Sequence, residues 1–211
     1  MMADLKSVHF IGICGSAMAS VAAALRERGV RVSGSDENVY PPMSTFLAER
    51  GIDVREGYRE ENLADAPELV VVGNVISRGN PEAEAVLERK LRYVSLPELL
   101  RETILRGRRN IVVTGTHGKT TTAALLAWVF EHNRLNPGYF IGGIPNNFSQ
   151  GARFPDSEWI ILEGDEYDTA FFDKRSKFIH YLPEVAIINN LEFDHADIFD
   201  SLADVQKTFR Q

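Results

Sequence analysis

A lysine set between a glycine turn and a row of threonines is the part of this chain best equipped for chemistry. Val112-Val113-Thr114-Gly115-Thr116-His117-Gly118-Lys119-Thr120-Thr121-Thr122 reads as an apolar strand, a glycine turn and the opening of a helix. Such a turn suits the phosphates of a nucleoside triphosphate. Backbone N–H groups surround the anion, and the helix N-terminus adds its partial positive charge. Lys119 can reach the β- and γ-phosphates, and the hydroxyl of Thr120 can sit on Mg²⁺. The common pattern G-x-x-x-x-G-K-[ST] would need glycine at position 113, where Val113 stands, so the loop is a variant with Gly115 and Gly118 as its flexible points.

Two further polar clusters follow apolar strands. Glu163-Gly164-Asp165-Glu166-Tyr167-Asp168 brings carboxylates together that repel one another unless a cation intervenes, and a nucleotide-bound Mg²⁺ supplies one. Asn189-Asn190-Leu191-Glu192-Phe193-Asp194-His195-Ala196-Asp197 sets a histidine among carboxylates and amides, which suits a second divalent metal or a carboxylate substrate. Nearer the start, Gly12-Ile13-Cys14-Gly15-Ser16 resembles a dinucleotide-binding turn with Cys14 where the second glycine would stand, and Asp36 lies where an acid would meet a ribose hydroxyl. A diphosphate-bearing nucleotide fits this turn, and NAD stays open as a second reading. Cys14 reads as a small packing residue. Residues 73–81, after a valine-rich strand, offer amide and hydroxyl groups that suit either a ligand or a plain loop capped at Asn80.

The elements that must position these groups follow one rhythm. Val8 to Ile11 is a strand, and a helix is expected from about Ala17 to Arg28, with Gly29 as its stop. Strands at Val30–Ser33 and Leu69–Gly73 and helices at Pro81–Arg89 and Pro97–Leu105 complete a first block. Residues 106–109 read as a linker, and the arginines there as a solvated helix end. The second block holds the phosphate loop, a helix over Lys119–His132, strands at Trp159–Leu162 and Val185–Ile188, and a helix from about Ser201. This β-α-β-α order predicts an α/β protein, an N-terminal Rossmann-like parallel-sheet domain followed by a partial P-loop ATPase domain. The second block is short of strands after its phosphate loop, so the chain is expected to stop inside that domain or just at its edge.

Composition excludes several classes. The 211 residues are 44% hydrophobic and carry a net charge of −7, with no broad basic field, so nucleic acid is not an expected partner. A single cysteine leaves no internal disulfide framework and fits a reducing cytoplasm. No stretch has the form of a signal peptide, and no apolar run approaches the roughly 20 residues of a membrane span, so no membrane insertion is expected.

Together these segments resemble the Mur ligase family, ATP-dependent amide-forming enzymes of bacterial cell-wall synthesis. The stretch Thr114 to Thr122 resembles that family's own phosphate-loop variant, and His9-Phe10-Ile11-Gly12-Ile13-Cys14-Gly15 its UDP-binding turn. Residues 36–45, Asp165-Glu166-Tyr167-Asp168 with residues 171–178, and residues 190–199 are similar to one branch, which joins UDP-N-acetylmuramate to the recycled tripeptide L-Ala-γ-D-Glu-meso-diaminopimelate. The branch that adds L-alanine usually has serine where Tyr167 stands.

The resemblance implies ATP and Mg²⁺ as cofactors, and UDP-N-acetylmuramate and a peptide as substrates. It implies a UDP-binding domain over residues 1–107, an incomplete ATPase domain over 108–211, and an absent C-terminal domain. Gly115, Thr116, Gly118, Lys119, Thr120 and Thr121 would bind ATP. Thr120 and Glu166 would share a Mg²⁺, and His195 would hold a second. His117 would touch the phosphates or the muramoyl group, making Lys119, His117 and His195 the catalytic set. Gly12, Gly15, Ser16, Asp36 and Ser77 would form the UDP site. Such a chain is expected to bind nucleotide without ligating. An L-alanine ligase, a non-catalytic nucleotide-binding module and an NAD protein remain the alternatives.

Overall fold

The computed structural model describes residues 5–193 and 201–210. The chain divides into two units. One takes the described residues up to Thr103 together with Thr169–Lys174, and the other takes Ile104–Asp168 and the described residues from Arg175 onward.

In the first unit, β1 (Ser7–Ile11), β2 (Arg31–Asp36), β3 (Asp53–Glu56), β4 (Leu69–Val72) and β5 (Tyr93–Ser95) form a sheet in the order β3-β2-β1-β4-β5. Every pairing is parallel. The helices are α1 (Ser16–Glu27), α2 (Met43–Ala48), α3 (Pro81–Glu88) and α4 (Leu96–Leu100). All of β1 and β4 is buried, as expected of central parallel strands. Asn80 caps α3 by accepting from the amides of Glu82 and Ala83, and Ser95 and Glu98 form a reciprocal capping box on α4.

The helix expected through Leu105 instead ends at Leu100 and continues as a π-helical turn over Arg101–Leu105. Three elements carry no sequence signal: α2, β3 and β5. They are short, and the mixed polar run Asp53-Val54-Arg55-Glu56 is an edge strand without an apolar face to reveal it.

This unit also buries polar groups. His9, 1% exposed, places Nε2 2.6 Å from Glu82 Oε1 and Nδ1 2.8 Å from Ser33 Oγ. Glu82 Oε2 accepts from the Asn62 amide at 2.8 Å. The network ties α3 and the turn at Glu60–Leu63 to the central strands, with each of these polar groups paired. The turn at Thr169–Lys174 adds Phe171 and Phe172 against the cluster that includes Ile11, Val70 and Val72.

In the second unit, β6 (Arg109–Thr114), β7 (Gly138–Phe140), β8 (Ala152–Arg153), β9 (Trp159–Glu163) and β12 (Val185–Ile188) form a sheet in the order β12-β6-β9-β7-β8. The ribbon of β10 (Asp168–Ala170) and β11 (Asp173–Ser176) is a separate two-stranded sheet, and its Thr169–Lys174 portion belongs to the first unit. Helices are α5 (Lys119–His132) and α6 (Leu202–Phe209). At one edge β8 runs antiparallel to β7.

The predicted arginine linker is also more ordered than expected. Arg108 donates to the carbonyls of Pro155 and Ser157, and Arg109, the first residue of β6, lies over the Trp159 ring and pairs with Glu184. At the other edge, β12 is wholly apolar, yet Val185 and Ile188 are 42% and 48% exposed. No described helix is long and apolar enough to cross a membrane.

Gly34 in β2 shows how tightly the first sheet is packed. A Cβ there would lie 2.7 Å from the Phe10 carbonyl oxygen and 2.7 Å from Ile13 Cβ. Gly34→Ala is therefore expected to lower stability by about 1–3 kcal/mol. An unchanged denaturant midpoint in urea unfolding would contradict that packing.

Candidate active site

The second sheet gathers its polar strand ends along one edge. Val113 on β6 pairs with Glu163 on β9, and Thr114 pairs with Ile188 on β12, all in parallel. The glycine turn after β6, the acidic run after β9 and the asparagine pair after β12 therefore leave the sheet side by side. Open α/β sheets bind ligands at this carboxyl edge.

The loop is shaped from within and from outside. Gly115 adopts φ +117°, and a Cβ there would meet the Asn190 carbonyl oxygen at 2.7 Å, so neither conformation nor space admits a side chain. Gly118, also at positive φ, is the N-cap of α5 and makes no side-chain cap bond. The segment after β12 clasps the turn. Thr116 N donates to the Asn190 carbonyl at 3.1 Å, and His117 N donates to Asn190 Oδ1 at 2.8 Å. The Asn189 amide donates to the His117 carbonyl and to Thr122 Oγ1, both at 3.1 Å. Thr116 Oγ1 accepts from Glu192 N at 2.9 Å, and Thr114 Oγ1 donates to the Gly164 carbonyl. His117 thus enters the site through its main chain, with its residue exposed. Thr121 is exposed on the first turn of α5.

The carboxylates divide into two tasks. Thr120 Oγ1 donates to Glu163 Oε1 at 2.6 Å, and Glu163 Oε2 accepts from Gly142 N at 2.7 Å. Glu166, in contrast, is buried and pairs with Lys119, its Oε2 lying 2.8 Å from Nζ. The acid expected to join Thr120 on a metal was Glu166, but the acid placed beside the Thr120 hydroxyl is Glu163. Hydroxyl and carboxylate oxygens from one or two residues are what Mg²⁺ takes from a protein when phosphates and water complete its shell. Among the described residues no group of three or more His, Cys, Asp and Glu side chains is arranged to hold an ion. Burial, with Asp165 and Glu163 nearby, pushes the Tyr181 phenol far above its usual range and keeps it neutral. His195 lies outside the described residues.

The turn of the first unit is built differently. Gly12, at φ +87°, and Ile13 donate to the Ser35 carbonyl at 2.8 and 3.0 Å. Gly15 is the N-cap of α1, and Gly15 and Ser16 are exposed at its opening. Asp36 was expected to face a ribose. Its carboxylate fastens the turn, accepting from Cys14 N and Asn38 N at 2.9 Å each. Ser77 is exposed in the loop after β4, where its carbonyl accepts from Asn80 N.

Sequence reasoning missed Tyr58. Its hydroxyl lies beside Gly12, and burial followed by the Asp36 charge pushes its pKa up to about 12. It also did not separate Glu163 from its neighbours, or name Asn189 and Asn190 as the clasp. The strand-end position of Glu163 was the available signal.

Residues 7–108 match the family described as "Mur ligase family, catalytic domain", and residues 113–211 the one described as "Mur ligase middle domain". The chain is 54% identical over 205 residues to the UDP-N-acetylmuramate--L-alanyl-gamma-D-glutamyl-meso-2,6-diaminoheptandioate ligase of Haemophilus influenzae, covering 97% of this chain and 45% of that protein. It is 37% identical over 212 residues to the UDP-N-acetylmuramate--L-alanine ligase of Brucella ovis, covering 100% of this chain and 43% of that one. Among solved structures, the UDP-N-acetylmuramate:L-alanyl-gamma-D-glutamyl-meso-diaminopimelate ligase from Neisseria meningitides superposes with a TM-score of 0.93 at 49% identity, over 97% of this chain and 66% of that one. The chain spans about half the length of the curated relatives it matches.

The first turn yields a direct test. Burial, then the neighbouring Asp36 charge, raises the Cys14 thiol to about 11. At pH 8 its thiolate fraction should be on the order of a hundredfold below that of an ordinary cysteine, so iodoacetamide should alkylate it slowly, with the rate climbing towards pH 11. Alkylation at the rate of free cysteine at pH 8 would refute this environment.

Proposed function

The chain belongs to the Mur ligase family, and from that premise we propose that it carries the UDP-binding and ATP-binding portions of a ligase joining UDP-N-acetylmuramate to the tripeptide L-Ala-γ-D-Glu-meso-diaminopimelate. Higher identity to the tripeptide-ligase relative, 54% against 37% for the L-alanine ligase, favours the tripeptide over L-alanine. The observation that carries the ATP reading is the meeting of Lys119, Thr120 and Glu163 at one sheet edge, with Thr120 Oγ1 2.6 Å from Glu163.

In this reading the muramoyl carboxylate attacks the γ-phosphorus of ATP, ADP leaves, and an acyl phosphate forms. The tripeptide amine then attacks the acyl carbon, losing a proton as the amide forms, and inorganic phosphate departs. A carboxylate is a poor acyl donor, and phosphorylation gives it a leaving group. The protein's share is positioning and charge neutralisation. The amides of the Gly115–Lys119 turn hold the phosphate oxygens, and Lys119 offsets charge on the β- and γ-phosphates. Thr120 and Glu163 would hold Mg²⁺, which supplies positive charge against the phosphoryl oxygens. On the first unit, Gly12, Gly15, Ser16 and Ser77 line the UDP-facing edge, and Asp36 fixes the turn that presents them. The expected domains, 1–107 for UDP and 108–211 for ATP, stand as part of this proposal. The 211 residues carry the groups proposed to bind both nucleotides.

Two measurements test the proposal. Lys119→Ala should weaken Mg·ATP binding by about ten- to hundredfold in calorimetry, and Glu163→Gln should raise the Mg²⁺ needed for nucleotide binding by about tenfold. Wild-type affinity in the lysine variant would remove the loop from the mechanism. In thermal-shift assays UDP-N-acetylmuramate should stabilise the chain and NAD should not. The reverse order would favour a dehydrogenase-like first unit. In a form with the full length of its relatives, offering L-alanine and the tripeptide side by side decides between the two amines.

A further inference from the structure

The Lys119 ammonium spends all of its donors on the protein. Nζ donates to the Gly115 carbonyl at 2.7 Å, to the Thr116 carbonyl at 3.1 Å, and to Glu166, whose oxygens lie at 2.8 and 3.0 Å. An ammonium has three protons and no acceptor, so three partners saturate it. Any phosphate oxygen that takes a bond from Lys119 must displace one of them. The two carbonyls belong to the loop itself and move with it. Glu166 comes from a different strand end, and its main chain is anchored by Ser176 Oγ, which donates to the Glu166 carbonyl at 2.7 Å. Both members of the pair are shielded, with side chains 13% and 4% exposed, so water does little to weaken the competition between two anions for one cation.

We infer that Glu166 is a positioning residue that stands in for phosphate: its carboxylate holds the Lys119 ammonium inside the turn and yields it when a nucleotide's β- or γ-phosphate arrives. This rests on the ATP reading proposed for the loop. It also separates the two acids, since Glu163 faces the Thr120 hydroxyl whereas Glu166 faces the lysine. A nucleotide therefore binds against an internal competitor, and ligands without phosphates beyond the α position do not engage that competition. Removing the charge at Glu166 while keeping its shape leaves a shielded ammonium short of an anion. The free protein is weakened, and the incentive to take up phosphate grows.

The test compares wild type and Glu166→Gln as the 211-residue chain, titrated by calorimetry with Mg·AMPPNP and with AMP. AMPPNP should bind the variant about tenfold more tightly, and AMP should bind both proteins alike. The variant's melting temperature should be lower without nucleotide, and AMPPNP should raise it by more than in wild type. A purely structural glutamate, or one that ligates Mg²⁺, would give equal or weaker AMPPNP binding in the variant, and that result overturns the inference while leaving the ATP reading intact. Failure of the wild-type chain to bind AMPPNP at all would overturn both together. Should Glu166→Gln fail to fold, Glu166→Asp is titrated in its place. It keeps the charge but draws it back from Nζ, and the same tightening is expected, with unchanged affinity counting against the inference.

Discussion

Parallel pairing of β6 with both β9 and β12 is the constraint on which the candidate site depends. Parallel strands leave a sheet in one direction, so three separate stretches of sequence deliver their polar ends to a single edge. Register matters as much as direction. A slip of one residue would turn Glu163 to the other face of the sheet and take it from the Thr120 hydroxyl. The strands that enforce the register, Ile111 to Val113 and Ile160 to Leu162, are almost wholly buried, so exposing them is the penalty for any alternative alignment.

Each unit solves one problem in its own way. A tight strand-to-helix turn must keep its amides available to a ligand and still hold its shape. In the first unit the Asp36 carboxylate, from the end of the neighbouring strand, anchors the turn at Cys14. In the second, Asn189 and Asn190 reach from the end of β12 to grip both sides of His117. The first clasp is an acid beside a half-buried thiol, and the second is a pair of neutral amides.

Much of this was legible in the sequence, and the reasons are local. The bounds of α5 and β12 are carried by runs whose residue types mark their ends. The strand β4 is four apolar residues in a row. Which acid lies beside the Thr120 hydroxyl was not legible. Glu163 and Glu166 are three residues apart in one acidic run, and only the strand's end point decides that the first faces Thr120 and the second faces Lys119. Asp36 was placed correctly at a strand end, but main-chain hydrogen bonds, invisible in sequence, decide what its oxygens do. The elements α2, β3 and β5 were silent because three to six residues contain too little periodicity to read.

The terminal position of β12 has a practical side. Its outward backbone amides and carbonyls are flanked by Val185 and Ile188, and the strand carries no lysine, proline or bulge of the kind that discourages foreign pairing. Among the described residues no further strand pairs with it, and an apolar edge of this kind is a template for added extended chain, which a charge placed on that strand would discourage.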